Sequence, residues 1–595
     1  MPEGSAQNQA HFYIELEGSE APASLQAALL EVHIESSLHL PDVATLVFTD
    51  DEHKWLDDAS LLPGKKLKVK SRTEQQNANP IFDGEIVELE PVFEGKGQKL
   101  TVRAFDRLHR LTRGRYARTF VDVSDSDIMQ KIAGEVGLQA DIDSSTPVHK
   151  HVFQSNQTNL EFLQARASTL GRYLYVLGEK LVCKKAPPER KLELNIHQEL
   201  SEFRPRLTTS AQVSKVQVRG WDVTKKAPVL GEATDGSSAP KRSEQPRGGQ
   251  AAKSAHNIEA KFLVNEPVVR EQGAADALAK AVADRLEGRY VEAEGTASGN
   301  PELLAGTTVK IKGVGTRFEG EYFVTSAEHV YTPAGGYVTH FSVTGHESPG
   351  LLSALGADRD FRAPSTMAVA IVTDNNDPDG KLARVKVKYP WLSDEEGSFW
   401  ARVVFPGGGK DRGIMYMPEV NDEVLVGFEH GDINQPYIIG GLYNGKDAPA
   451  LPNGKFFKSG NIVQRVIKSR TGHIILLDDS DDAPGIQIID QTGKNIIKIE
   501  SKTGDMTIEM EGKVTVTAKG DMKLESKKSV EIIAATDVKI NANSNVNIKA
   551  TSSFSAEGTS SAEVKGATLS LKGSATAKLE AGGMTEVKGL PVKIN

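Results

Sequence analysis

The sequence predicts a mainly β protein: an N-terminal region of strands with a few helices, then a five-stranded OB-fold barrel, then a C-terminal β-helix prism built of octads. Three observations predict it. Residues 502–595 repeat with a period of eight, and residues 367–444 read as short strands divided by turn clusters. The composition agrees, with 38% hydrophobic and only 6% aromatic residues and 54 glycines among 595, as turn-rich soluble β structure requires. At roughly 150 residues per domain, the length suggests about four domains.

In chain order, residues 1–360 read mostly as strands. Ser124–Asp127 offers N-cap residues before a helical stripe over Ile128–Val136. Ala275, Leu278, Ala279, Val282 and Leu286 keep the 3/4 spacing of a further helix. Between them, Gly231–Gly249 is rich in Ser, Pro, Gly and charge, which predicts an exposed, mobile loop over 231–249.

Residues 361–448 carry five strand patterns: Ala368–Val372, Ala383–Tyr389, Phe399–Val404, Glu423–Phe428 and Tyr437–Ile439. Turn clusters at Asn375–Gly380 and Pro406–Gly409 separate them, and five strands in so short a span fit an OB barrel. That fold often binds nucleic acid. Here eight Lys/Arg face thirteen Asp/Glu between Ser365 and Ala450, and the whole chain carries a charge of −9. A surface of that sign repels phosphate, so no nucleic-acid partner is expected.

Residues 449–501 read as a β neck, and 502–595 as the octad repeat. Its apolar pairs are Met506/Ile508, Val514/Val516, Met522/Leu524, Val530/Ile532, Val538/Ile540, Val546/Ile548, Phe554/Ala556 and Ala562/Val564. The spacing slips by one at Leu569/Leu571 and resumes at Ala577/Leu579. From Lys502 to Leu590 there is no Pro, Arg, Trp or Tyr, and Phe554 is the only aromatic. Alternation within each unit is a strand signal, and the polar triplet after it leaves room for a turn. Such a unit cannot bury its apolar pair alone, so it must stack. Either one chain winds three octads into a coil, or three chains interlace; periodicity does not choose. In the interlaced case eleven octads rising about 4.8 Å each give a prism on the order of 50 Å long. Small residues such as Ala562 and Ala577 suggest a narrowing interior.

Several segments resemble one known family. Met417–Asp432 followed by Gln435–Asn444 is similar to the barrel signature of the VgrG and phage baseplate-spike family. Ile467–Asp479 resembles the neck that follows it there, and the octads resemble its trimeric prism. Ala104–Leu111, Asn159–Tyr173, Val218–Lys225 and Phe323–His329 resemble successive hub segments, so the likeness covers nearly the whole chain in the family's order. The resemblance implies a two-barrel hub and tips the octads toward three chains. The compact hub and Gly440–Asp447 look more like the extracellular contractile injection systems than type VI secretion.

Chemistry is mostly missing. His149 and His151 could face one way on a strand, but without a neighbouring Cys or carboxylate they read as a solvated edge rather than metal ligands. Gly313–Gly320 imitates a dinucleotide loop with the wrong spacing and reads as a hairpin; Gly407–Asp411 lacks the Ser/Thr of a phosphate loop and reads as a barrel loop. Cys183, the single cysteine, excludes an internal disulfide and reads as a small buried hydrophobe. No catalytic, cofactor-binding or metal-ligating residue is predicted. Too few residues lie between barrel and neck for an inserted lysozyme domain, and no effector follows the octads before Asn595.

These readings predict a structural spike and hub of a contractile injection system, not an enzyme. The resemblance implies a homotrimer that meets the inner-tube protein and baseplate proteins at its hub end and touches the target membrane transiently. The trimer core comprises Met506, Ile508, Val514, Val516, Met522, Leu524, Val530, Ile532, Val538, Ile540, Val546, Ile548, Phe554 and Val564. Val587, Leu590, Val592 and Ile594 make an apolar end on which a PAAR-type tip protein would dock, and no histidine follows His473 to build a metal-bearing apex in this chain. The N-terminus shows no signal peptide, so synthesis in the cytoplasm is expected, within a particle that is cytoplasmic, membrane-anchored or released. The competing reading is a β-solenoid polysaccharide-degrading enzyme. It needs clustered charge, whereas 13 Lys and 11 acids are spread evenly over Ser501–Asn595.

Overall fold

The computed structural model describes residues 11–594 except 73–77, 94–96, 186–189, 223–224, 226, 235, 237–245, 265–267, 346–366 and 394. The chain divides into two compact units, Met1–Gln464 and Arg465–Asn595.

In the first unit an antiparallel sheet of eleven strands spans the hub. It runs from Leu200–Leu207 through Val291–Ser298, Gly336–Val343 and Ser326–Thr332, crosses to Leu29–Ser37, and continues through Val43–Thr49, Lys99–Phe105, Asn79–Val92, Lys66–Arg72 and His11–Leu16 to Ser19–Glu20. Two separate cores lie on its two halves. Ile14, Leu46, Phe48, Val69 and Leu100 fill one; Val291, Val309, Ile311, Tyr322 and Phe341 fill the other. The two-barrel hub thus takes the form of one sheet with two cores.

Both predicted helices form, and the segment Asn159–Tyr173 supplies another over Asn159–Thr169. Helix Asp125–Glu135 begins in a capping box between Ser124 and Asp127, and helix Asn159–Thr169 in another between Thr158 and Glu161. Helix Gln272–Gly288 buries Ala275, Leu278, Ala279, Val282 and Leu286 on one face, as their spacing requires. The Ala104–Leu111 motif ends a strand and opens a 3-10 turn capped by Asp106, whose Oδ1 accepts from Leu108 N at 3.0 Å. Its arginines tie three segments together. Arg107 is buried and donates to Asp83 at 2.9 Å and to the Gly178 carbonyl at 3.0 Å. Arg110 pairs with Glu85 and reaches the Val136 carbonyl at 2.9 Å. Cys183 is fully buried in the core between these helices, where burial pushes its thiol up to about 12.

The loop expected over 231–249 is corrected at both ends; its middle lies outside the described residues. Gly231 belongs to strand Ala227–Ala233, and Gly248 and Gly249 open helix Gly248–His256, all three buried. A Cβ on Gly231 would stand 2.3 Å from the Ala275 carbonyl, and one on Gly248 would stand 2.1 Å from Gln212 Oε1. These glycines permit close approach rather than mobility.

The barrel closes in the order Met367–Asp374, Arg384–Lys388, Ala401–Val403, Pro436–Gly441, Glu423–Phe428, with Ala370, Val385, Val387, Val424, Val426 and Ile438 inside. Gly313–Gly320 is the predicted hairpin, joining antiparallel Thr307–Lys312 and Gly320–Phe323.

In the second unit an antiparallel meander of Gln464–Lys468, Ile474–Asp478, Gly485–Ile489, Ile496–Glu500 and Asp505–Glu509 makes a five-stranded sheet. Among the described residues of 510–594 there is no strand and no backbone–backbone hydrogen bond.

Candidate functional site

Two rows of side chains face one way on the five-stranded sheet of the second unit. Ile475, Ile488, Ile497 and Ile508 pair in one row, and Leu477, Ile486, Ile499 and Met506 in the next. Residues two apart on a strand share a face. These eight side chains therefore form one aliphatic surface, and all but the half-buried Ile497 are exposed. A patch of that kind marks a contact surface. Alternation over Ile486–Ile489 and Ile496–Ile499 carried the signal in the sequence, but the neck had been read only as strands.

The octads continue from there. Bends fall at 511–512, 519–520, 527–528, 535–536, 543–544, 551–552, 559–560 and 567–568, so each straight run and its corner together take eight residues. The next bends fall at 574–575 and 582–583; the unit after 567 is one residue short, at the place where Leu569/Leu571 slip in the sequence. The two faces of the octads also differ in character. Lys523–Glu525, Asp537–Lys539, Glu563–Lys565 and Lys578–Glu580 make ion pairs two residues apart, on the face opposite the apolar pairs. The side chains predicted for the trimer core, Met506 to Val564, are between 53% and 73% exposed in the single chain. A single-chain coil would pair octads with one another; among the described residues of 510–594 no backbone hydrogen bond does so. Val587, Leu590, Val592 and Ile594 are exposed as well.

Within the first unit, a joint connects hub and barrel that the sequence did not disclose. Phe153, on hub strand His149–Gln157, lies in the barrel core, with its ring 6.1 Å from that of Tyr389 at 83°. Asn434 Oδ1 accepts from Phe153 N at 2.6 Å, and Thr119 bonds Glu396. Arg270 donates to Glu429 at 2.8 Å and to Gln435 at 2.6 Å, and Tyr437 OH also donates to Glu429 at 2.7 Å.

His149 and His151 are not the solvated edge expected. His149 Nε2 lies 3.1 Å from Asp125 Oδ2 and 2.9 Å from Arg166 Nη2. Burial alone would raise the Asp125 carboxyl, but the His149 hydrogen bond and the Arg166 charge hold it below the usual range. His151 sits in the joint, with Nε2 3.0 Å from the Gly397 carbonyl and its buried Nδ1 without a hydrogen-bond partner. Burial pushes its imidazole below the ordinary value; the Gly397 carbonyl and Glu396 oppose this, and Lys386 adds to it. Among the described residues no three His, Cys, Asp or Glu side chains converge as metal ligands.

A histidine whose pKa is depressed when docked stabilises the joint fully above its undocked value of about 6.5. That contribution is lost as pH falls below about 6.5 toward the docked value. Barrel melting temperature is therefore expected to drop between pH 7.5 and 5 more steeply in the unaltered chain than in His151→Gln, which keeps a donor but cannot titrate. Parallel pH profiles would remove His151 from the joint's acid response.

The family described as Alg8 N-terminal domain matches residues 6–332. The one described as Type VI secretion system/phage-baseplate injector OB domain matches residues 368–443, the barrel. The Type VI secretion system spike protein VgrG1b of Pseudomonas aeruginosa is 29% identical over 211 residues, 32% of this chain and 27% of its own length. The Actin cross-linking toxin VgrG1 of Vibrio cholerae is 36% identical over 78 residues, 12% of this chain and 7% of its own. The chain thus spans about a quarter or less of these curated relatives. Among solved structures, the half-lidded Francisella PdpA-VgrG complex is similar with a TM-score of 0.53 at 10% identity, over 85% of this chain and 89% of that one; at such identity the likeness concerns the fold. With over half its length matched by one family and its barrel by the other, the chain belongs to the Alg8 N-terminal domain family, among the VgrG and contractile-tail spike proteins.

Proposed function

We propose that this chain is the structural spike and hub of a contractile injection machine, working as a homotrimer. The observation that carries the reading is the run of apolar pairs at eight-residue spacing from Val514 to Val564, exposed and, among the described residues, without backbone partners in their own chain. Unpaired strand groups and bare aliphatic rows need cover. Two further copies supply it with the same surfaces, since identical octads can hydrogen-bond layer upon layer. The aliphatic face of the neck sheet continues the same inward side.

The action is mechanical. Sheath contraction drives the inner tube forward, and a stiff prism concentrates the force on a small area of target membrane. Stiffness comes from pairing each layer's backbone with those above and below, which leaves no edge along the shaft. The hub docks on the inner-tube protein and the baseplate, and the apolar end at Val587–Ile594 receives a conical cap of the PAAR kind. The chain acts without an enzymatic centre of its own. Residues 442–464, between the last barrel strand and the second unit, hold one helical turn and a hairpin of two-residue strands.

Mass in solution tests the assembly: three chains of 64.3 kDa are expected, and a monomer at micromolar concentration would sink it. Release of soluble fragments from cell-wall polysaccharide, abolished by one point substitution, would favour the enzyme reading instead.

A further inference from the structure

Three copies of a repeat face a problem that one copy does not. From Val514 to Ile548 the apolar pairs are Val, Ile, Met and Leu at identical spacing. Sliding one chain by a whole octad keeps the backbone pairing in every layer that still overlaps and exchanges side chains of similar volume there, which costs little. These octads cannot specify their own alignment.

Two features farther along can. The unit between the bends at 567–568 and 574–575 is one residue short, and it ends on Gly573, where a Cβ would stand 2.4 Å from the Thr576 carbonyl oxygen. Phe554, the only aromatic of residues 502–590, shares its unit with Ala556.

We propose that the short unit ending at Gly573, backed by Phe554, is a register key that admits only the in-phase alignment of three copies. In phase, all three short units fall in one layer and shorten each face equally. One octad out of phase, a short unit lies beside full ones, and a one-residue offset turns side chains to the wrong face. Ser570 and Lys572 would then compete with Leu569 and Leu571 for the interior. Phe554 would share a layer with Val546 and Ile548, or with Ala562 and Val564, instead of with its own copies, and overpack it. The inference rests on the three-copy reading above.

The test is chain mixing. A full chain lacking residues 529–536, one octad, keeps the key but places it one layer nearer the neck. Denatured together with unaltered chains and refolded, it is expected to form its own trimers, with mixed trimers at least tenfold below the statistical share by native mass spectrometry. Inserting one alanine between Thr568 and Leu569 in both chains restores eight-residue spacing and erases the short unit, and mixing should rise toward the statistical share. Statistical mixing with the key intact overturns the proposal, as does failure of the octad-deleted chain to trimerise, since the octads would then not be interchangeable. Absence of trimers from the unaltered chain would instead sink the three-copy reading.

Discussion

Ile548→Asp is expected to abolish the trimer. In the proposed prism each layer takes the same residue from all three chains, so one substitution buries three carboxylates without partners. An uncompensated buried charge costs roughly 3–5 kcal/mol per chain, against a typical domain stability of about 5–15 kcal/mol. Sedimentation should show monomers or open aggregates. The neighbouring Lys549→Asp, on the outward face, should stay within about 0.5 kcal/mol of the unaltered protein. Unchanged trimer mass and melting for Ile548→Asp would mean that residue 548 does not face inward.

Phe153→Ala should destabilise a domain to which Phe153 does not belong in sequence. The ring is 3% exposed and packs among Ala370, Val385, Val424 and Phe428 of the barrel. Removing such a side chain costs about 3–5 kcal/mol, because the cavity cannot fully collapse. The effect should appear in the fluorescence of Trp391 and Trp400, both in the barrel, while the hub core around Leu46 and Phe48 melts as before. A variant that shifts only the hub transition would assign Phe153 to the wrong core.

How much of this was legible beforehand depends on the range of the interaction. The octads, their one-residue slip and the five barrel strands were readable because alternation and repetition are local, and local pattern sets which side faces in. Ser124 and the stripe from Ala275 to Leu286 follow the same rule. The joint was not readable. Phe153 looks like any strand phenylalanine, and nothing near it in sequence points to Asn434 or Tyr389. His149 and His151 were placed in solvent because their partners, Asp125, Arg166 and Gly397, come from other segments. Gly231 and Gly248 failed for another reason: a glycine needed for mobility and a glycine needed for close packing are the same letter.

The neck sheet and the octads differ in where their backbone partners come from, and that difference gives them different reaction orders. All five neck strands pair within one chain, so the sheet forms by a unimolecular step that dilution does not touch. In the proposed trimer the shaft would gain its hydrogen bonds only when three chains meet, and its population would fall on dilution by mass action. A nascent chain would therefore carry a finished neck and an open shaft until its partners arrive. The aliphatic face from Ile475 to Ile508 would gather the three before their strands interlace.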